Sequence, residues 1–176
     1  MNRPLIYLII FIFVSPFSQG MSQEVRKTGV LKISSPAFEN NKSIPPKYTC
    51  DGANVNPPLK IEDIPREAKS LALILDDKDA PRGSYVHWIL WSIHPGLQEI
   101  RENSVPEDAV QGRNDFKKNN YGGPCPPSRA HRYVFKVYAL DVQLNLDPKS
   151  MKADLEKAME GHVIARGEWR GIYKRK

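Results

Sequence analysis

Apolar and polar positions alternate along several stretches of the chain with a period of two, which is typical of β-strands. The clearest stretch is RYVFKVYALD, residues 132–141, in which Tyr133, Phe135, Val137 and Ala139 share one face. We therefore expect a mainly β fold. Other apolar runs predict further strands over Val30–Ser34, Ser70–Leu75, Val86–Ile93 and Val163–Tyr173.

One segment has helical periodicity. Asp147 and Pro148 form a start signal, and Gly161 suits the residue that follows a helix. We therefore expect one helix before the last strand. Its apolar stripe would be Met151, Leu155, Ala158 and Met159.

Two stretches are too rich in Pro, Gly and Asn for regular structure. Residues 36–60 and 112–130 are predicted to be long irregular loops. Loops of that length in a compact domain are usually functional. Because most strands are joined by loops, the sheet should be mainly antiparallel.

The first twenty residues, MNRPLIYLIIFIFVSPFSQG, have the layout of a secretory signal peptide. A basic Arg3 precedes the apolar run Leu5–Val14, which is too short to span a bilayer, and small residues follow up to Gly20. We expect cleavage after Gly20, a single domain over residues 21–176 and a periplasmic or secreted protein without an integral membrane segment. The alternative is translation from Met21, which would leave the protein in the cytoplasm.

The charge balance indicates no nucleic-acid partner. The formal net charge is +6, and removal of Arg3 leaves 25 basic minus 20 acidic residues, or +5. The basic residues are scattered apart from Lys174, Arg175 and Lys176. A short basic terminus of this kind is usually a solvated end.

The chain has two cysteines, Cys50 and Cys125. Their separation is not that of a structural zinc site. An exported protein would meet oxidising conditions, in which this pair can form a disulfide if the fold brings the two residues close together.

Candidate chemistry begins at LDDKDAPRGSYVHWILW, residues 75–91. Two strands joined by an acidic turn would bring Asp77, Asp79 and His87 to one sheet edge, as a catalytic dyad, a metal site or a binding pocket. A carboxylate beside His87 would raise its pKa and favour an imidazolium that attracts anions. The alternative is that Asp76, Asp77 and Asp79 are ordinary turn residues and His87 a core or surface histidine.

A second constellation, YGGPCPPSRAHRY, covers residues 121–133. Gly122 and Gly123 allow close backbone approach and offer N–H donors, while the prolines stiffen the loop. His131 and Tyr133 alternate onto one face at the entrance of a strand. Taken alone, this stretch is equally compatible with a rigid connection.

Together the two stretches, with KYTCDGANVNPPL and the late helix, resemble the phosphatidylethanolamine-binding protein family, in particular its bacterial YbhB/YbcL-type, Raf kinase inhibitor-like branch. The resemblance runs from about Val30 to Tyr173. It implies a large antiparallel sheet, a smaller second sheet and one or two helices near the C-terminus. Lys78 stands where many relatives have proline. The family's pocket residues match Asp77, Asp79, His87, Gly123, Pro124, His131 and Tyr133.

The resemblance also implies a rigid pocket for phosphate or a phospholipid head group, with no metal or cofactor. We therefore rank a binding protein, a monomer or homodimer that acts on a partner protein, ahead of an enzyme. The alternative enzyme is a hydrolase in which Asp77 works with His87 or His131 as acid and base. A metal site formed by His87, His131, Asp77 and Asp79 ranks third. Anion affinity should rise as the pH falls towards the histidine pKa.

Overall fold

The computed structural model describes residues 28–175, which form two β-sheets and one α-helix. The predicted signal peptide, residues 1–20, lies outside the described residues. A short 3-10 helix spans Pro46–Tyr48. The elements are β1 (Gly29–Val30), β2 (Lys32–Ser34), β3 (Lys42–Ser43), β4 (Leu59–Glu62), β5 (Ser70–Asp77), β6 (Tyr85–Ile93), β7 (Glu99–Ile100), β8 (Val110–Gln111), β9 (His131–Leu140), α1 (Lys152–Met159) and β10 (Val163–Tyr173).

The large sheet has the order β1-β10-β9-β5-β6-β8, and β3 also pairs with β10. Its long central pairings are antiparallel, as predicted, but β1 and β3 both run parallel to β10. The sheet is mixed because the chain leaves the edge of β10 after β1 and returns to that edge as β3. The small sheet, β2-β4-β7, is antiparallel.

The predicted strand Val30–Ser34 is wrong as a single element. Its first part belongs to the large sheet and its second part to the small sheet, with the break at Leu31. The backbone N–H of Leu31 still donates to the Arg166 carbonyl at 2.9 Å. The sequence pattern did not indicate β3, β4, β7 or β8, since none is longer than four residues.

The central strands are buried on both faces. Leu71, Leu73 and Leu75 of β5 belong to the core that includes the small sheet, whereas Ala72 and Ile74 belong to the core that includes α1. A strand covered on both faces has a continuous apolar run. β5 continues through Asp77, so the interpretation of Asp76 and Asp77 as turn residues is wrong.

The helix begins later than the start signal indicates. α1 begins after Met151, while the Asp147 carboxylate accepts a hydrogen bond from the Lys149 N–H in the turn before it. Of the predicted stripe, Leu155 and Met159 are buried. Gly161 follows the helix with φ of +76°, the left-handed conformation expected there.

Candidate ligand-binding site

The candidate site is built on neighbouring ends of β5 and β9. Asp77 lies directly opposite Tyr133 in the antiparallel register, and His131 shares the Tyr133 face two residues earlier. The Asp77 Oδ2 and His131 Nδ1 atoms are 2.7 Å apart. The exposed fractions of Asp77, His131 and Tyr133 are 4%, 2% and 0%, so their polar atoms depend on one another or on a ligand.

His87 reaches this site because β6 contains a β-bulge. The pairing of β6 with β5 skips one residue between Val86 and Trp88, and His87 is that extra residue. Strict alternation would put His87 on the face of Ile89, which packs in the α1 core. Its ring centroid instead lies 5.2 Å from that of Tyr133 in an edge-to-face contact. The bulge therefore redirects the imidazole.

The walls beside His87 are aromatic. The Tyr85 and Phe116 ring centroids lie 5.5 and 5.2 Å from the His87 ring, and both contacts are edge-to-face. The side chain of Asp115, next to Phe116, accepts a hydrogen bond from the Val86 N–H at 2.7 Å. This bond holds the loop that carries Phe116 against β6.

The glycine loop contributes an acceptor where donors were expected. His87 Nδ1 lies 2.7 Å from the Gly122 carbonyl oxygen. The Gly122 N–H donates to the His87 carbonyl, and the Gly123 N–H donates to Asn54 Oδ1 at 2.8 Å. The expectation that these two amides face an anion is therefore wrong, because the loop uses both for its own attachment.

The expected rise in the His87 pKa is also wrong. Burial lowers the pKa of His87 below its ordinary 6.5, and the Gly122 carbonyl and the Asp77 charge only partly oppose that shift. The carboxylate that was expected to protonate His87 is hydrogen-bonded to His131 instead. His87 is therefore neutral in the unliganded pocket at neutral pH.

Asp79 has a partner of its own. Its carboxylate accepts hydrogen bonds from the Arg132 Nε, Nη2 and backbone N–H at 2.7–2.8 Å. Arg132 lowers the pKa of Asp79 to about 2. The Asp79 N–H donates to Asp77 Oδ1 at 2.9 Å. Asp79 thus closes the turn beside the pocket, and its charge is already paired.

The two irregular loops are fastened together next to the site. Cys50 and Cys125 form a disulfide with a Cα–Cα distance of 5.4 Å. The Cys50 N–H donates to the Pro124 carbonyl, and the Tyr121 hydroxyl donates to the Tyr48 carbonyl. These bonds fix the Gly-Pro segment that passes over His87.

One buried polar atom at the site makes no well-formed hydrogen bond. Among the described residues, the fully buried Tyr133 hydroxyl has no partner within normal hydrogen-bond distance and angle, although the Asp77 carboxylate and the Cys125 backbone lie close to it. Burial first, and then the charge and proximity of Asp77, raise the pKa of Tyr133, so the phenol stays protonated and is a donor. Most buried hydroxyls are satisfied, so a poorly bonded hydroxyl of this kind calls for an explanation.

The structure therefore brings together Asp77, His87, His131 and Tyr133, with Gly123 and Pro124 in the covering loop. Sequence reasoning missed the Gly122 carbonyl and the walls formed by Tyr85 and Phe116. Across residues 28–175, no three His, Cys, Asp or Glu side chains are placed to hold a metal ion. In the same range, no helix is long and apolar enough to cross a membrane.

The chain belongs to the phosphatidylethanolamine-binding protein family, whose model matches residues 34–174. A UPF0098 protein of Pyrococcus horikoshii is 53% identical over 154 residues, which cover 83% of this chain and 77% of that protein. A UPF0098 protein of Pyrococcus abyssi is 47% identical over 182 residues and 99% of each chain.

Solved structures agree with this assignment. The crystal structure of a phosphatidylethanolamine-binding protein homologue from Chlamydia trachomatis matches with a TM-score of 0.81 at 40% identity, covering 85% of this chain and all of that one. Escherichia coli YbcL, described as a member of the mammalian family, matches with a TM-score of 0.78 at 28% identity over 83% and 99% of the two chains. The large sheet, small sheet and late helix are thus the family fold.

Proposed function

We propose that the pocket formed by Asp77, His87, His131 and Tyr133 binds a small phosphoryl anion, either free phosphate or a phosphorylated head group. The observation that carries this proposal is the buried Tyr133 hydroxyl, a protonated donor that makes no well-formed hydrogen bond. An anion oxygen would supply the missing acceptor, since leaving a buried hydroxyl unsatisfied costs about 1–3 kcal/mol.

The two histidines have matching proton assignments that suit this ligand. His87 Nδ1 faces a carbonyl and His131 Nδ1 faces a carboxylate, each at 2.7 Å. Both oxygens only accept, so both Nδ1 atoms carry the proton, and Nε2 is left for a ligand. The Nε2 of the neutral His87 accepts a hydrogen bond, so it fits the P–OH of a protonated phosphate or takes up a proton when a dianion binds.

Binding should therefore be linked to protons. The unliganded His87 is held neutral by burial, and an anion next to it would raise its pKa again. Since the complex then binds more protons than its free components, affinity increases as the pH falls below neutrality. This direction agrees with the sequence-based expectation, although its cause is the ligand charge rather than Asp77.

The test is calorimetric titration of metal-free protein with inorganic phosphate and with phosphoethanolamine, at acid and neutral pH, in two buffers of different ionisation enthalpy. We expect saturable binding, tighter at acid pH, with net proton uptake. Tyr133→Phe should weaken it about tenfold, because the variant loses one hydrogen bond of about 1.4 kcal/mol to a charged group. Tyr138→Phe is the matched control, since Tyr138 lies on the opposite face of β9.

Two outcomes would contradict the proposal. One is the absence of saturable binding of either compound under all conditions. The other is binding that Tyr133→Phe and Tyr138→Phe leave equally unchanged, which would place the anion elsewhere on the protein.

A second candidate function is hydrolysis, favoured by the 2.7 Å Asp77–His131 contact, which is the geometry of an acid–base pair. Both cysteines are joined in the disulfide, so neither offers a thiol nucleophile. Turnover of nitrophenyl phosphate or nitrophenyl acetate that is lost in His131→Asn would support it. The binding proposal expects no turnover.

We also propose that the protein is exported and acts on a partner outside the cytoplasm. The Cys50–Cys125 disulfide supports export, since such bonds persist mainly in oxidising compartments. Fractionation of cells expressing the full chain, with mass measurement of the N-terminus, tests this. Protein that begins at Met1 or Met21 in the cytoplasm would overturn it.

A further inference from the structure

A second cluster of charged side chains lies on the other face of β5, behind the candidate pocket. Asp76 is fully buried there, and three lysine amino groups surround its carboxylate. Lys136 Nζ of β9 lies 2.6 Å from Oδ2, Lys152 Nζ of α1 lies 3.0 Å from both oxygens, and Lys78 Nζ lies 3.5 Å from Oδ2.

This cluster contains more positive than negative charge. Three lysine amino groups face one carboxylate, and the Glu156 carboxylate, which is half-exposed, lies 3.7 Å from Lys152 Nζ. Glu156 is the i+4 neighbour of Lys152 on the outside of the helix, where solvent screens its charge. Asp76 alone cannot satisfy three cations.

Lys78 is the least strongly held of the three lysines. It is the farthest from the carboxylate, and 37% of its side chain is exposed, against 18% for Lys136 and 20% for Lys152. Burial first, and then the neighbouring Lys136, lower the pKa of Lys78. Burial also acts on Lys136, but its hydrogen bond to Asp76 outweighs burial and raises the pKa of Lys136. Of the lysines in the cluster, Lys78 therefore gives up its proton to become a neutral amine most readily.

We propose that Lys78 is a carbamate-forming site that takes up carbon dioxide. The lone pair of the neutral Lys78 Nζ attacks the carbon of CO₂ and forms an N–C bond. One C=O π pair moves onto oxygen, and the nitrogen releases one proton to water. Nothing is oxidised or reduced. The product is an anionic carbamate on the side chain.

The surroundings stabilise that product. Before the reaction the cluster has three lysines against one carboxylate. Afterwards it contains two ammonium groups, Lys136 and Lys152, and two anions, the Asp76 carboxylate and the Lys78 carbamate. The charges then balance, and the carbamate lies in the same cluster as the Lys136 and Lys152 ammonium groups that already hold the Asp76 carboxylate. The exposure of Lys78 leaves it open to dissolved gas, and its place between Asp77 and Asp79 puts it beside the candidate pocket.

The test is carbon-13 NMR of the intact protein in carbon-13 bicarbonate at neutral and mildly alkaline pH. We expect a carbamate resonance that disappears in Lys78→Arg, because the arginine guanidinium keeps its proton and its charge. Lys60→Arg is the matched control, since Lys60 is an exposed strand lysine outside the cluster. Alkylation of the carbamate with triethyloxonium, followed by peptide mass measurement, should place the adduct on Lys78.

A further variant tests the cause. Lys136→Met removes one of the two ammonium groups that would balance the charge of the product, so we expect the carbamate signal to fall at least threefold while circular dichroism stays unchanged. The proposal is overturned if the signal persists in Lys78→Arg, as it would if it came only from the chain terminus or from other lysines. An unchanged signal in Lys136→Met would overturn the role of the cluster.

Discussion

Asp76 and Asp77 are neighbours in one strand, yet the two faces of the sheet treat them in opposite ways. Asp77 lies beside one histidine, with an unsatisfied phenol and a neutral imidazole nearby. Asp76 lies among three lysines. Burial would raise the pKa of Asp76, but the hydrogen bonds from Lys136 and Lys152 outweigh it and lower that pKa. One face therefore has too few charges to satisfy its polar atoms, and the other has more cations than its carboxylate can pair.

The contrast teaches how a buried carboxylate signals function. A buried carboxylate with several cations is ionised at all ordinary pH values and holds secondary structure together, here β5, β9 and α1. A buried carboxylate whose partner is a single histidine orients that ring and leaves its other nitrogen available to a ligand. The same residue type, one position apart, thus has a structural role on one face and a binding role on the other.

The largest effect on stability should come from removing the disulfide, which lies on the pocket face of the large sheet. Cys50 and Cys125 are 75 residues apart, and a loop of that size corresponds to about 4 kcal/mol of stabilisation through the unfolded chain. The double variant Cys50→Ser, Cys125→Ser should lose about that much unfolding free energy in urea. It should also bind phosphate more weakly while keeping the Lys78 carbamate. Equal loss at both sites would mean that the two faces are not independent.

Asp76→Asn should have the next largest effect, a loss of about 3 kcal/mol of unfolding free energy, because it leaves the Lys136 and Lys152 ammonium groups beside a neutral amide in a buried site. Urea denaturation measures the loss. The double variant Asp76→Leu, Lys136→Met should recover part of it, since an apolar pair can replace a buried ion pair. A single-variant loss smaller than that of Asp77→Asn would show that the lysine cluster is solvated rather than structural.

Tyr133→Phe should change the unfolding free energy in the opposite direction. Removing a buried hydroxyl that has no partner should leave the unliganded protein as stable as before or more stable by about 1 kcal/mol. Thermal or urea unfolding without phosphate measures this. A clear destabilisation would mean that the hydroxyl already has a partner in the unliganded protein, which would remove the main support for the proposed anion pocket.

His87 should make the unfolding free energy depend on pH. Its folded-state pKa lies below the ordinary 6.5, so the unfolded chain takes up the proton first as the pH falls. Its effect on stability is therefore absent above pH 6.5 and becomes increasingly destabilising as the pH falls from there towards the folded-state pKa. His87→Gln should flatten the unfolding free energy over that range, measured by urea titrations at several pH values. An unchanged slope would contradict a buried neutral His87.

The smallest effect on stability is expected at the Asp79–Arg132 pair beside the pocket. The Asp79–Arg132 pair is exposed on its arginine side, so Asp79→Asn should leave the urea midpoint within error at neutral pH. The low pKa of Asp79, about 2, means that any contribution is lost only in strong acid. If Asp79→Asn instead abolishes phosphate binding, Asp79 belongs to the pocket together with Asp77, His87, His131 and Tyr133.

Strand periodicity predicted the frame of the site. The alternation in 132–141 placed His131 and Tyr133 on one face, and the apolar runs gave the central strands and the helix. These features depend on local pattern, which a sequence displays directly. The sequence paired the Asp77 strand with the His87 strand, but it did not indicate the pairing of β5 with β9 that brings Asp77 opposite Tyr133.

Other features depend on contacts between distant segments. Strict alternation points His87 away from the pocket, and only the bulge, which is a property of two paired strands, reverses it. The Gly122 and Gly123 amides looked available because their acceptors, the His87 carbonyl and the Asn54 side chain, are far away in the chain. Asp76 was interpreted as a turn residue because its partners, Lys136 and Lys152, are 60 and 76 residues away in the chain and no local pattern indicates them.

The disulfide also gives the chain a closed topology. Residues 50–125 form a covalent ring that contains Asp77 and His87, whereas His131 and Tyr133 lie on the tail outside it. The candidate pocket is therefore assembled between a ring and a tail. A protease that cuts one bond anywhere between Cys50 and Cys125 opens the ring but releases no fragment, so the long loops can be nicked while both halves of the pocket stay in one molecule.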